Sequence, residues 1–335
     1  MKKNLLLIFI FIIIGCDNNT EKTKTDTCST ETLNISPTKL REFVDSLNTV
    51  SIKSNPIQKT WYKYSPNVDS NIVYKDNLFI AFVHPEGTGS KVLPTEGSTI
   101  SYSEDGLNWI HIDEKLSGVY TKIITVDDYY YAIGYPIENS YNSTIIRSKN
   151  GYEWESVFSV KSTKIQDIEY VDNKIIAVGT HGLVAFSEDG IDWEKRKLCE
   201  YSFYDITTSS NEIVISGDPG VILSSTNGES WNLIKHDIEA VGVRDGIYAN
   251  ERYLFSTNDT ILIYDKNFLP LKKSTNMHQI GVYENSFLSL GEDVMLSDNA
   301  EIWTKIAKVE KLDVHTTEVD LTNFIIVNSE IIFPN

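Results

Sequence analysis

Asp167-Ile-Glu-Tyr-Val-Asp-Asn-Lys-Ile-Ile-Ala-Val-Gly179, then Thr-His-Gly182, Leu-Val-Ala-Phe186 and the heptapeptide Ser187-Glu-Asp-Gly-Ile-Asp-Trp193, is one turn of a pattern that runs along this chain. It reads as short alternating or apolar runs separated by Asp-Asn, a Gly-containing turn and the heptapeptide. With the run from Glu194 onward, this makes four strands. The heptapeptide recurs from Ser103 to Trp109, Ser148 to Trp154 and Ser225 to Trp231, with an altered copy from Ser297 to Trp303. Successive serines are 45, 39, 38 and 72 residues apart. The last interval spans two units, one of which has lost the signature and keeps only Tyr264 to Asn267 in its place. A period of roughly 40 residues belongs to an array of supersecondary units.

Aligned on this unit, others open near Asn71, Lys122, Asp205, Asp245 and Gln279, and a last one at Glu318 stops after three strands. The missing fourth strand is expected from Thr60 to Tyr64, with Trp61 in the place of the heptapeptide tryptophans. Joining the two ends of the chain in one sheet removes open edges. The expectation is an all-β, seven-bladed β-propeller over residues 57–335; six or eight blades would require the first or last unit to be drawn differently.

The heptapeptide is turn chemistry. Ser hydroxyls and Asp or Asn side chains bond nearby backbone amides, Gly takes a positive φ, and Trp folds back as an apolar cover. The motif resembles the Asp-box (BNR-type) repeat. The fuller unit, with Gly179-Thr-His-Gly182 and Gly217-Asp-Pro-Gly220, is similar to propellers related to photosystem II assembly and stability factors. Sialidases and other glycosidases carry the same boxes, so the resemblance implies a fold more than an activity. It implies no sialidase: the Arg-Ile-Pro signature is absent. The arginines are only Arg41, Arg147, Arg196, Arg244 and Arg252, too few in the right places to clamp a carboxylate.

Residues 1–15 read as an export signal. Lys2 and Lys3 precede an unbroken apolar run from Leu5 to Ile14, about half the ~20 residues a spanning helix needs. Ile13-Ile14-Gly15-Cys16 resembles a bacterial lipoprotein cleavage site, which implies that Cys16 is acylated (diacylglyceryl, palmitate-type chains) and anchors the mature chain without spanning the membrane. Asp17 resembles an inner-membrane retention signal, and which leaflet or membrane of the cell envelope holds the protein stays open. Residues 16–56 are expected to be a polar tether, with a short helix over 36–48 started by Ser36 and Pro37.

Loss of residues 1–15 moves the formal charge from −17 to −19. So acidic a surface excludes nucleic acid as a partner. Cys28 and Cys199 are too far apart in sequence to define a metal site, and their pairing is open. The histidines have no ligand spacing, so no metal or cofactor is expected.

The first residue of each inner strand, Asn71, Lys122, Asp167, Asp205, Asp245, Gln279 and Glu318, should ring one mouth of a central channel. Carboxylates crowded there can shift one another's pKa and supply acid and base. The competing reading, favoured here, is that they bond backbone amides at strand starts. No catalytic residue is assigned. The loops between second and third strands open on the same mouth. Those of the first two units are long: Val83 to Gly97, with His84, Glu86 and Glu96, and Tyr135 to Asn142, with Glu138 and Tyr141. A partner site is placed across these loops. The reading is a monomeric, non-enzymatic binding or assembly module for an envelope protein, with a glycan-binding or glycan-cleaving propeller as the alternative.

Overall fold

The computed structural model describes residues 47–53, 59–85, 94–234, 242–257, 260–274, 279–312, 324–327 and 330–333. Cys16, Cys28, Glu86, Glu318 and the signal lie outside the described residues. Five separate four-stranded antiparallel meanders cover residues 73–112, 118–160, 165–197, 202–234 and 245–274. A sixth, at 279–311, is continuous with the strands that close the ring. Ile325–Val327 pairs with Glu330–Phe333, which pairs antiparallel with Lys59–Tyr64, as the ring-closure argument expects. Lys59–Tyr64 also runs parallel to the far half of Ile302–Lys311, which merges the last two units into one eight-stranded sheet.

Each meander is apolar on both faces because it is sandwiched between neighbours. Tyr130 and Tyr131, adjacent on one strand, enter opposite interfaces, as period-two geometry requires. Seven apolar clusters result, one between each consecutive pair of units and a last one joining Ile331 and Phe333 to Phe79 and Ile72. The clusters run from unit to unit and, through the last one, from the C-terminal strands back to the first unit, the arrangement of a propeller.

The heptapeptide turns are nearly superimposable in their bonds. In the copy at Ser187, the serine Oγ accepts from Gly190 N at 2.8 Å, and Asp189 Oδ1 accepts from the amides of Ile191 and Asp192, each at 2.8 Å. The indole of Trp109, Trp154 and Trp231 donates to the carbonyl of its own glycine at 2.9, 3.0 and 3.1 Å. The altered copy keeps this geometry without glycine: Ala300 takes φ 56° and accepts from Trp303 at 2.8 Å. Trp193 is the exception, its buried indole nitrogen having no partner.

The expected tether and helix need correction at their C-terminal ends. Leu47 and Asn48 are not helical. Asn48 O accepts from Lys273 N, Val50 N donates to Lys273 O, and Ser51–Lys53 forms a strand along Ile302 to Thr304. The chain is therefore bound to the rim over Asn48 to Lys53. The sequence hid this because three exposed residues, Ser-Ile-Lys, carry no strand pattern; backbone bonds to existing edges hold them.

Candidate functional site

The axial residues are aimed by a repeated irregularity. In the second, third and fourth units the inner strand bulges immediately before Lys122, Asp167 and Asp205. A bulge turns the next side chain and brings the strand onto its neighbour. Opposite it in register sit Gly134, Gly179 and Gly217, where a Cβ would lie 2.1, 2.0 and 2.0 Å from the carbonyl oxygens of Val119, Lys164 and Ser202. The glycine that opens the Gly-x-x-Gly motif is there to admit the bulge. Gly179→Ala is expected to lose more than ~1 kcal/mol in urea unfolding, because backbone rather than a side chain must move. Gly281→Ala, which meets only a Val327 methyl at 3.8 Å, should be close to neutral.

Thus aimed, the residues link consecutive units. Asn71 donates to Ile123 O and accepts from Ile123 N, both at 2.8 Å. Asp167 accepts from Ile168 N at 2.9 Å and, across the interface, from Ile206 N at 2.8 Å. Lys122, where an acceptor would otherwise stand, reaches Asp167 and Glu169, the latter at 2.8 Å. Asp205 accepts from Thr207 Oγ1 at 2.8 Å and lies against Asp245. The bonding role favoured from sequence is what Asn71 and Asp167 perform.

The electrostatics are those of four carboxylates and one ammonium in a confined space. Burial, with Asp167 and Asp245 beside it, pushes the Asp205 carboxyl well up. Asp245 is raised mainly by burial, and so is Glu169 against the pull of Lys122. Lys122 is raised, because its two carboxylate partners outweigh the burial that lowers it. Two crowded carboxyls without a cation of their own hold a proton between them more readily than they ionise together. Sequence reading missed Glu169, although it stands two residues beyond Asp167 on one strand and so on the same face.

The two loops begin where the second strands of the first two units end, at Val83 and Pro136. His84 is fixed: its backbone N donates to Asp69 at 2.7 Å and its Nε2 lies 3.0 Å from Tyr120 O. That contact makes it a brace between the first two units. Glu96 pairs with Lys115. Tyr135 is partly enclosed, and its hydroxyl pKa is raised by burial. In the second loop Asn139 Oδ1 accepts from Tyr141 N at 3.0 Å, and Asn142 N donates to Asn139 O at 3.1 Å. This folded loop leaves Tyr141 74% exposed. Glu138 and Asn142 line a pocket of about 300 Å³ together with Lys161. Arg244 lies over the Tyr204 ring at 4.4 Å, at the bulge before Asp205, a feature sequence reading missed because the two residues are in different units.

No protein-family model matches the chain, and no curated protein does. Solved structures do match. YCF48 bound to a D1 peptide is similar over 86% of this chain and 97% of its own, at 11% identity and a TM-score of 0.54. Virginiamycin B lyase from Staphylococcus aureus is similar over 82% and 99%, at 12% identity and 0.55. The WD40 propeller domain of Doa1 is similar over 82% and 97%, at 11% identity and 0.55. At such identities the likeness is one of fold: the chain is a β-propeller.

Proposed function

We propose that this protein is a membrane-anchored, extracytoplasmic binding module that takes an envelope protein on the mouth formed by the loops of its first two units. The observation that carries the reading is the loop from Tyr135 to Asn142. Its backbone is folded by Asn139, it presents Tyr141 to solvent, and it flanks a pocket lined by Glu138, Asn142 and Lys161. A rigid loop offering an amphipathic ring is a low-entropy contact element. YCF48, a propeller of similar fold, has been solved with a peptide bound, which supports a peptide or protein partner here. The Asp167 oxygens are committed to Lys122 and to amides of two units, which weighs against the axial acids serving as a hydrolytic pair.

Cys16 is the proposed acylation site, and the chain from Asp17 to Leu47 then links the membrane to the rim. Cys16→Ser is expected to move the protein from the membrane fraction to the soluble fraction of the envelope. The partner site is tested by photo-crosslinking in intact cells. A crosslinker at Tyr141 should capture one dominant protein, and one at Ile191, on the heptapeptide end of the third unit, should not. Equal capture from both positions, or none from Tyr141, overturns the mouth as the binding face.

A further inference from the structure

The N-terminal part of the chain joins the propeller along an arc of its outer rim. Asn48 and Val50 bond to Lys273 on the outer strand of the fifth unit, and Ser51–Lys53 runs parallel to residues 302–304 of the sixth. Lys59–Tyr64 then follows residues 307–311 and pairs with Glu330–Phe333. The four strands on this arc, Ser51–Lys53, Lys59–Tyr64, Pro270–Ser274 and Ile302–Lys311, hold eight lysines and one acid, Glu310. The whole chain has the opposite balance, 47 acids to 30 bases.

Ion pairs neutralise only part of this charge. Lys63 pairs with Glu330, and Lys305 with Asp293. Lys53, Lys59, Lys308 and Lys311 are exposed and form no ion pair among the described residues. The third unit shows the contrast. Its outer strand, Glu194–Lys197, also carries three bases, but Arg196 pairs with Glu194 and bonds Glu229 O, and Lys197 pairs with Glu200. A run of unpaired ammonium groups along one edge repels itself, and an extended anionic surface relieves that repulsion.

We propose that this arc rests on the anionic lipid headgroups of the membrane that holds the anchor, an inference that builds on the acylation of Cys16 proposed above. The chain from Cys16 meets the fold at Asn48, on the arc itself, so the tether leads from the bilayer to the lysines. At about 0.1 M salt the Debye length is ~10 Å, so headgroups sense these lysines and not the acids across the propeller. Flexible stems let ammonium groups from alternate sides of a strand reach one plane. Ile52 and Ile302, both exposed at the start of the arc, add apolar contact. The loops proposed to take the partner belong to the first two units and contribute nothing to the arc, so both contacts can be made at once.

The test is cosedimentation of the full mature chain carrying Cys16→Ser, and so no acyl group, with phosphatidylcholine vesicles that contain or lack phosphatidylglycerol, at about 0.1 M salt. The protein should pellet with the anionic vesicles, stay in solution with the neutral ones, and be released at about 0.5 M salt. Lys308→Glu with Lys311→Glu should weaken binding roughly tenfold or more, and so should Lys53→Glu with Lys59→Glu on the neighbouring strands. Lys164→Glu with Lys195→Glu, exposed lysines off the arc and an equal change of charge, should weaken it by less than about twofold. No pelleting with anionic vesicles overturns the proposal, as does an equal loss from the arc pairs and the control pair. Pelleting without vesicles assigns the arc to a second copy of this chain and overturns it too. Failure of the acylation reading shows separately, as a Cys16→Ser chain that stays with cell membranes washed in about 0.5 M salt, which removes a protein held by its lysines alone.

Discussion

Asp167→Ala is expected to be the most destabilising single substitution on the axis. The carboxylate is 4% exposed, pairs with Lys122, and accepts from backbone amides of two units. Removing it leaves the Ile206 and Ile168 amides without that acceptor and Lys122 with Glu169 alone. Loss of one partner from a buried pair costs ~3–5 kcal/mol, and an orphaned buried amide adds to that. Asp167→Asn keeps an acceptor oxygen for one amide and should lose about half as much. Glu155→Ala is the control. Glu155 pairs with Arg147 at 2.6 Å but is 64% exposed, and such pairs contribute ~0–1 kcal/mol. Urea unfolding monitored by tryptophan fluorescence should rank the three Asp167→Ala, Asp167→Asn, Glu155→Ala. If Asp167→Ala unfolds no more readily than Glu155→Ala, the axial bonds do not hold neighbouring units together.

That bond was half visible in the sequence. Writing the units in register places Asp167, Asp205 and Asp245 at one position, and the acceptor reaches the residue just after its own equivalent in the next unit: Asn71 to Ile123, Asp167 to Ile206. The periodicity that reveals the fold therefore also predicts the partner. It does not reveal the bulges, which depend on local pairing register, or the Lys122 contacts, which arise where the repeat is broken by a cation. The turns were legible because their bonds lie within seven residues. The Leu47 to Lys53 segment and the Tyr64 hydroxyl's bond to Leu107 O were not, since they join parts of the chain with no periodic relation. His84 shows the opposite limit: a loop histidine suggests chemistry, and its carbonyl partner in the next unit makes it a brace.

The second large effect depends on pH. The Asp205 carboxyl is raised in the folded state by burial and by Asp167 and Asp245 beside it, and Asp245 is raised mainly by burial with Asp167 adding, against its hydrogen bond with Asp205; Lys122 opposes both. Glu169, on the same strand as Asp167, is raised as well. Between the ordinary carboxylate range and these raised values, the folded state binds more protons than the unfolded one, so stability falls as pH rises through them. Asp205→Asn removes one of the crowded acids. Its amide donates to Asp245, which then ionises beside a neutral neighbour. The variant should therefore match wild type near ~pH 5 and exceed it near ~pH 8, by a few degrees in melting temperature at the ~2–4 °C per kcal/mol typical of chains this large. Thr207, whose hydroxyl donates to Asp205 at 2.8 Å, can bond the amide oxygen instead, so no donor is orphaned. The diagnostic is the slope: wild-type stability should decline with pH more steeply than that of the variant. Equal slopes, with Asp205→Asn less stable at both pH values, would mean that Asp205 is ionised in the folded protein and that the axial acids carry their charge with a counter-ion drawn from solution.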